Sequence, residues 1–278
     1  MTYRRRGEGP AIVAVHGWAA NSVFFDDLAE RLGDAFCVIA PDLRAHGSTP
    51  AGSLPLDIET LADDLHELVT ALDLENAVLL GWSMGAMVAW AAIARHGTQR
   101  FAGLVIEDMT PRVLNDAGWS LGMSNGLEAA GSARAAQMMA ADWTGYAGAF
   151  APRMFARKRR TGDPALVAEA TAQLSRCNGA EMAHIWNSMT AQDMRPLLPS
   201  IHLPVLVAHG ALSEVYGPET SRYLVDTLPN ARDAQFKRSG HAPHLEQPEE
   251  FAQAVRQFAS QIQAGATHQH DIEGSTQS

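Results

Sequence analysis

Short apolar runs alternate with longer stretches in which apolar residues recur every three or four positions. The short runs have the length of buried β-strands, and the longer stretches have the period of amphipathic helices. We predict strands at 11–15, 36–40, 77–80, 101–106, 205–208 and 234–236. We predict helices at 23–32, 58–72, 84–96, 218–228 and 248–261. Because strands and helices alternate, the expected fold class is α/β, with a mostly parallel sheet flanked by helices.

The alternation stops between residues 111 and 199, where the chain is rich in Ala, Met and Trp and carries only helical signals. An all-helical insertion between two core strands is expected to lie over the carboxyl edge of the sheet, where the catalytic groups of such sheets lie. We therefore predict a core formed by 1–110 and 200–264, and a helical segment, the cap, formed by 111–199. Residues 265–278 are polar and unpatterned, and we predict a disordered tail there.

Composition excludes several classes of function. The 278 residues are 46% hydrophobic and 19% charged, which is typical of a soluble globular protein. A net charge of −10 argues against non-specific binding to nucleic acid. The only cysteines, Cys37 and Cys177, give neither a disulfide framework nor a metal-ligand spacing, so we expect no metal. The serine chemistry described below needs no cofactor, and we expect none. No run is long enough to be a signal core or a membrane span, so we expect a cytoplasmic protein without a membrane partner.

The strongest chemical signal is Gly81-Trp82-Ser83-Met84-Gly85, which follows a predicted strand and leads into a helix of small residues. Two glycines permit a strand-to-helix turn so tight that the serine between them takes strained backbone angles. Its hydroxyl then stands above the sheet edge at a helix N-terminus, where developing negative charge is favoured. Ser83 is therefore the candidate nucleophile; the alternative is a Gly-rich turn whose serine only caps the helix.

A nucleophilic serine needs a general base. His241 directly follows Gly240 in a loop after the last predicted strand, and it comes after Ser83 in the chain, as the base does in serine hydrolases of this type. His244, three residues further on, could compete for this role. We favour His241, because the strand exit can direct its ring inward.

Attack of a serine on a carbonyl group also needs hydrogen-bond donors for the tetrahedral oxyanion that forms. The strand at 11–15 ends in His16-Gly17-Trp18, where the backbone N–H of Trp18 can face that of Met84, the residue after the nucleophile. We predict that these two amides form the oxyanion hole. His16 itself is expected to be a structural hydrogen-bonding residue, and the Trp18 ring could form a wall of the acyl pocket.

Four segments together resemble the signatures of the α/β-hydrolase fold family, and they span nearly the whole chain in the expected order. They are His16-Gly17-Trp18, Asp42-Leu43-Arg44-Ala45-His46-Gly47-Ser48, Gly81-Trp82-Ser83-Met84-Gly85 and Gly240-His241-Ala242-Pro243-His244-Leu245-Glu246. The second is structural in that family, so the resemblance implies no catalytic role for Asp42, Arg44 or His46. Within the family the chain resembles the serine carboxylesterases that include the pimeloyl-[acyl-carrier protein] methyl ester esterases.

The acid of the triad departs from the family pattern. The resemblance implies an acid three residues after the glycine of the strand that leaves the cap, but Ser213 occupies that position. Serine cannot stabilise an imidazolium as a carboxylate does. Glu214 is one residue further on, while Glu107 and Asp108 close the strand before the cap, where some relatives carry their acid. We favour Asp108 over Glu214, and Glu107 third.

The cap also carries five cations within eight residues of an otherwise acidic chain: Arg153, Arg157, Lys158, Arg159 and Arg160. Such a cluster is either a solvated face or a docking surface for an anionic partner, such as an acidic acyl-carrier protein. The expected function is hydrolysis of carboxylic esters through an acyl-enzyme, acting on a small-molecule ester or on one linked to a carrier protein. Cleavage of lactones, thioesters or C–C bonds, or ligand binding without catalysis, remains the alternative.

Overall fold

The computed structural model describes residues 1–275, and the side chains up to residue 265. The strands are β1 Tyr3–Arg6, β2 Ala11–Val15, β3 Cys37–Pro41, β4 Ala77–Trp82, β5 Phe101–Glu107, β6 Val205–Gly210 and β7 Ala231–Phe236. Within the described chain they form one seven-stranded sheet in the order β1-β3-β2-β4-β5-β6-β7. Only the pairing of β1 with β3 is antiparallel among these neighbours. The predicted α/β fold is confirmed.

Among the described strands, β1 is the one that the apolar pattern missed. Its side chains are all exposed, so it carries no buried run. Arg4 and Arg6 bind Asp26 and Glu30 on the first helix, and the strand forms one edge of the sheet. A charged edge strand discourages pairing with another chain, and it leaves no hydrophobic signal in the sequence.

The helices are α1 Asp26–Leu32, α2 Ile58–Ala71, α3 Met84–His96, α4 Ala129–Ala141, α5 Trp143–Phe150, α6 Arg157–Gly162, α7 Pro164–Leu174, α8 Gly179–Ala191, α9 Pro218–Thr227, α10 Pro243–Glu246 and α11 Pro248–Ser275. Helix α1 packs against α11, and α2 packs against α3. The helix predicted at 23–32 begins later, because Asn21 caps a 3₁₀ turn, Ser22–Phe25, that precedes α1.

The C-terminal region differs from the expectation. Helix α11 does not end near residue 261, and its backbone continues to Ser275. Proline is the residue that breaks a helix most strongly, and none follows Pro248 in the sequence. The remainder of the tail for which we predicted disorder, 276–278, lies outside the described residues.

The segment 111–199, called the cap above, contains α4 to α8 and lies between β5 and β6. It contacts the loops at the carboxyl ends of the strands: the Trp18 indole N–H donates to Met182 O at 3.0 Å, and His241 N donates to Met154 O at 2.8 Å. Within the described part of the chain, no helix has both the length and the apolar composition needed to cross a bilayer.

Candidate active site

Ser83 sits in the turn between β4 and α3 with φ 52° and ψ −123°, in a region that non-glycine residues seldom adopt. The turn is this tight because its glycines touch backbone. A Cβ on Gly81 would lie 2.4 Å from Ala86 N, and one on Gly85 would lie 2.0 Å from Val15 O. Backbone angles of this kind cost about 1–3 kcal/mol, and they persist only where the surrounding structure enforces them. The close packing of this turn therefore holds Ser83 at the carboxyl edge of the sheet, directly after β4.

The structure brings His241 and Asp108 together. His241 Nδ1 lies 2.6 Å from Asp108 Oδ2, and both side chains are almost completely buried. With Nδ1–H donating to the carboxylate, Nε2 carries a lone pair and can accept a proton. Asp108 extends from the end of β5 with a positive φ of 45°. This arrangement has the geometry of the acid and base of a catalytic triad.

Ser213, at the position where the family resemblance places an acid, is a partner of Asp108. Its hydroxyl donates to Asp108 Oδ2 at 2.7 Å, and the Gly210 N–H lies 3.4 Å from Asp108 Oδ1. The two acid positions therefore converge on one point behind His241.

Glu214 points away from this point. Its carboxylate binds Arg157 at 2.5 Å and Arg160 at 2.7 Å, and these hydrogen bonds lower the pKa of Glu214. Glu107 instead binds His244, with its Oε1 2.8 Å from the Nδ1 of His244. Of the three candidate acids, only Asp108 contacts His241.

The turn that carries Trp18 lies directly against the nucleophile. A Cβ on Gly17 would be 3.2 Å from the Ser83 Cβ, so the backbone at 16–18 approaches the serine closely. Aromatic rings of the cap meet the Trp18 ring at centroid distances of 5.4 to 6.1 Å. These rings belong to Trp143, Tyr146, Phe150 and Trp186. The Trp18 ring is therefore packed among aromatic rings of the cap, while the backbone of the same turn lies against Ser83.

His16 and His46 hold this turn in place. His16 Nε2 accepts from Leu43 N at 3.0 Å, and His46 Nε2 accepts from Ala19 N at 3.2 Å. Burial lowers the pKa of His16 to about 4 and that of His46 to about 3. Both rings are thus neutral at pH 7 and can accept these hydrogen bonds. Their role is structural, and neither ring is a second base.

Glu246, which the sequence did not single out, connects the loop of His241 to the cap. Its Oε1 accepts from Gly240 N at 2.5 Å, and its Oε2 accepts from Ala156 N at 2.9 Å. Burial raises the pKa of this carboxyl to about 7, although both hydrogen bonds favour the charged form. No residue pattern indicated this contact, because it depends on the packing of the cap against the loop.

The basic cluster of the cap is partly neutralised. Glu214 binds two of its members, as described above, and Arg159 binds Asp163 at 3.1 Å. Arg153 and Lys158 are exposed, and neither forms an ion pair with another described residue.

Among the described side chains, no group of three or more His, Cys, Asp and Glu is arranged to hold a metal ion.

Comparisons with known proteins bear on this geometry. A family model described as alpha/beta hydrolase fold matches residues 10–248. A pimeloyl-[acyl-carrier protein] methyl ester esterase of Neisseria meningitidis serogroup C is 31% identical over 261 residues, covering 90% of this chain and 94% of that protein. The esterase of the same name from Chromobacterium violaceum is 28% identical over 260 residues, covering 90% of this chain and 94% of its own length.

Solved structures give a matching result. An esterase from Exiguobacterium antarcticum superposes with a TM-score of 0.86 at 23% identity, covering 93% of this chain and 94% of that one, which is a likeness of fold alone. A thermophilic esterase from Thermogutta terrifontis superposes with a TM-score of 0.84 at 26% identity, covering 94% of this chain and 93% of that one.

Proposed function

We propose that this chain, which belongs to the alpha/beta hydrolase fold family, is a serine carboxylesterase that works through an acyl-enzyme. The observation that carries the proposal is the 2.6 Å contact between the Nδ1 of His241 and the Oδ2 of Asp108. The same protein holds Ser83 at φ 52° in a Gly-x-Ser-x-Gly turn. These are the parts that a serine nucleophile requires: a general base and a carboxylate that orients it.

In the proposed mechanism, Ser83 Oγ attacks the ester carbonyl while His241 Nε2 takes the proton of the hydroxyl. The backbone N–H groups of Trp18 and Met84 stabilise the oxyanion, which exists only in the tetrahedral intermediate. His241 then protonates the leaving alcohol, and the acyl group stays on Ser83. Water activated by the same imidazole releases the acid. Asp108 keeps the imidazole in the correct tautomer and stabilises its protonated form.

Labelling with a fluorophosphonate tests this proposal. We expect the wild type to gain one covalent adduct, measured by intact-protein mass spectrometry, and the Ser83→Ala variant to gain none. The Ser48→Ala variant is the matched control, because Ser48 is a serine of the same chain that bonds Asp42 through its backbone N–H. A wild type that fails to react would favour a ligand-binding protein without catalysis.

For the substrate, we propose an acyl methyl ester carried by an acidic acyl-carrier protein. Support comes from the relatives, which are pimeloyl-[acyl-carrier protein] methyl ester esterases, and from the exposed cations Arg153 and Lys158 on the cap. A positive surface attracts an acidic partner and raises its association rate. The cap of residues 111–199 would then both cover the site and receive the partner.

Charge reversal of Arg153 and Lys158 to Glu tests the docking surface. We expect kcat/KM for a carrier-linked ester to fall by about tenfold or more, with that for a small free ester unchanged, because only the first reaction depends on steering. Equal effects on both esters would refute the proposal that Arg153 and Lys158 form a docking surface. The proposal that the protein is an esterase would be unaffected.

A further inference from the structure

A second buried pair of an acid and a histidine lies beside the proposed triad and takes no part in its mechanism. Glu107 Oε1 accepts from His244 Nδ1 at 2.8 Å and from His244 N at 3.0 Å. Both side chains are 0% exposed, so neither can reach a substrate in this structure. We propose that Glu107 and His244 are positioning residues that hold the nucleophile turn, the acid and the loop of the base in one fixed arrangement.

Glu107 contacts all three catalytic segments. Its backbone oxygen accepts from Ser83 N at 2.8 Å, and the next residue in the chain is Asp108. Its side chain binds His244, which lies three residues after His241. A shift of this one residue would therefore move the nucleophile, the acid and the base relative to each other.

Trp82 adds a second connection between the same segments. It immediately precedes Ser83, and its indole N–H donates to His241 O at 2.8 Å. Its ring meets the His244 ring edge-on at a centroid distance of 4.7 Å. The His244 ring is therefore fixed on one side by Glu107 and on another by Trp82, and the loop of His241 is fixed with it.

Stability alone does not explain why a polar pair occupies this buried position. Among the described residues, Glu107 Oε2 and His244 Nε2 are buried without a hydrogen-bond partner, which carries a desolvation cost. The neighbouring rings of Phe25 and Phe251 are apolar, with centroids 5.0 and 6.0 Å from that of His244. Apolar residues often replace such a buried pair at no cost in stability. What the polar pair adds is directional contact, which fixes geometry.

Three variants separate positioning from stability: Glu107→Gln, His244→Phe and the double variant. His244→Phe leaves the buried carboxylate of Glu107 with only the backbone N–H of residue 244 as a donor, so we expect its unfolding temperature to fall the most. The double variant carries no buried charge, and its unfolding temperature should recover above that of His244→Phe. We expect kcat for a p-nitrophenyl ester to stay about 100-fold low in Glu107→Gln and in the double variant, with KM changed less than about threefold, because small misplacements of catalytic groups have effects of this size.

The proton between His241 and Asp108 gives a signature that does not depend on turnover. In the wild type we expect a far-downfield ¹H resonance from His241 Nδ1–H, assigned by its loss in His241→Gln. It should disappear or move upfield in Glu107→Gln and in the double variant. The matched control is Asp63→Asn, which breaks a surface pair with His96 (2.7 Å) and should leave both kcat and the resonance unchanged.

The positioning role of Glu107 and His244 rests on the proposed function, but different results would refute each of them. If kcat recovers together with the unfolding temperature in the double variant, or if the resonance is unmoved in both variants, the pair is merely structural and the inference is wrong. If the wild type is neither labelled at Ser83 nor active on any ester, the proposed function fails, while the resonance still decides whether Glu107 and His244 position His241.

Discussion

The convergence of two acid positions on His241 makes it possible to relocate the acid of the proposed triad. Asp108 Oδ2 lies 2.6 Å from His241 Nδ1 and 2.7 Å from Ser213 Oγ. A carboxylate introduced at position 213 therefore starts within one hydrogen-bond length of the place that Asp108 occupies. We consider three variants: Asp108→Asn, Ser213→Asp and the two combined.

The loss in Asp108→Asn follows from the contact itself. Charge centres about 4 Å apart interact by about 4 kcal/mol at an effective dielectric constant of 20, which suits a pair as buried as this one. That energy corresponds to about three orders of magnitude in rate. An asparagine can also stabilise the wrong imidazole tautomer, which brings the expected fall in kcat to about 10³- to 10⁴-fold.

The combined variant should recover about 10- to 100-fold of that loss, because the new carboxylate faces the same imidazole nitrogen and restores part of the lost transition-state stabilisation. Ser213→Asp alone should not gain activity. Two carboxylates sharing one site raise the pKa of one of them, and the variant should be less stable than the wild type. The assay is kcat for p-nitrophenyl butyrate at pH 8, with thermal unfolding measured on the same samples.

Glu214→Gln is the matched control, since Glu214 is engaged with Arg157 and Arg160 and does not contact His241. Its kcat should stay within about twofold of the wild type, as expected for a partly exposed carboxylate away from the reaction. The reasoning is refuted if Asp108→Asn keeps a tenth or more of wild-type turnover, or if Glu214→Gln causes the large loss instead.

Three further measurements probe the surrounding structure. Gly85→Ala should abolish activity and lower the free energy of unfolding by more than about 3 kcal/mol, because its Cβ would lie 2.0 Å from Val15 O. An active variant whose urea unfolding matches that of the wild type would contradict this. The buried carboxyl of Glu246, with its pKa raised to about 7, binds a proton in the folded state that the unfolded state has lost, so wild-type stability should fall as pH rises from about 4.5 to 7. Relative to Glu246→Gln that fall should be on the order of 3 kcal/mol, and parallel pH profiles in urea unfolding would count against it. Burial raises the pKa of Cys177 to about 12, so native protein at pH 8 should react with iodoacetamide far more slowly than protein in urea, and equal rates would refute it.

Local sequence was sufficient for the core of the fold and for the nucleophile turn. Apolar runs such as 11–15 and 101–106 became buried strands because short apolar runs that alternate with helices fit a parallel sheet covered on both faces. The glycines at 81 and 85 indicate the turn around Ser83, since only glycine permits backbone contacts as close as those found there.

The pairing of charged groups could not be predicted in this way. Asp108 and His241 are 133 residues apart, and the sequence alone left Asp108, Glu214 and Glu107 as candidate acids. The choice among these three acids depended on contacts formed only after folding. Arginines of the cap bind Glu214, and His244 binds Glu107. Strand β1 was missed for a related reason, because its charged residues are held by pairing with β3 and by ion pairs with α1. Backbone preferences and apolar periodicity act over a few neighbouring residues and can be read along the chain, whereas an ion pair is specific only once the fold has set which charges meet and how deeply they are buried.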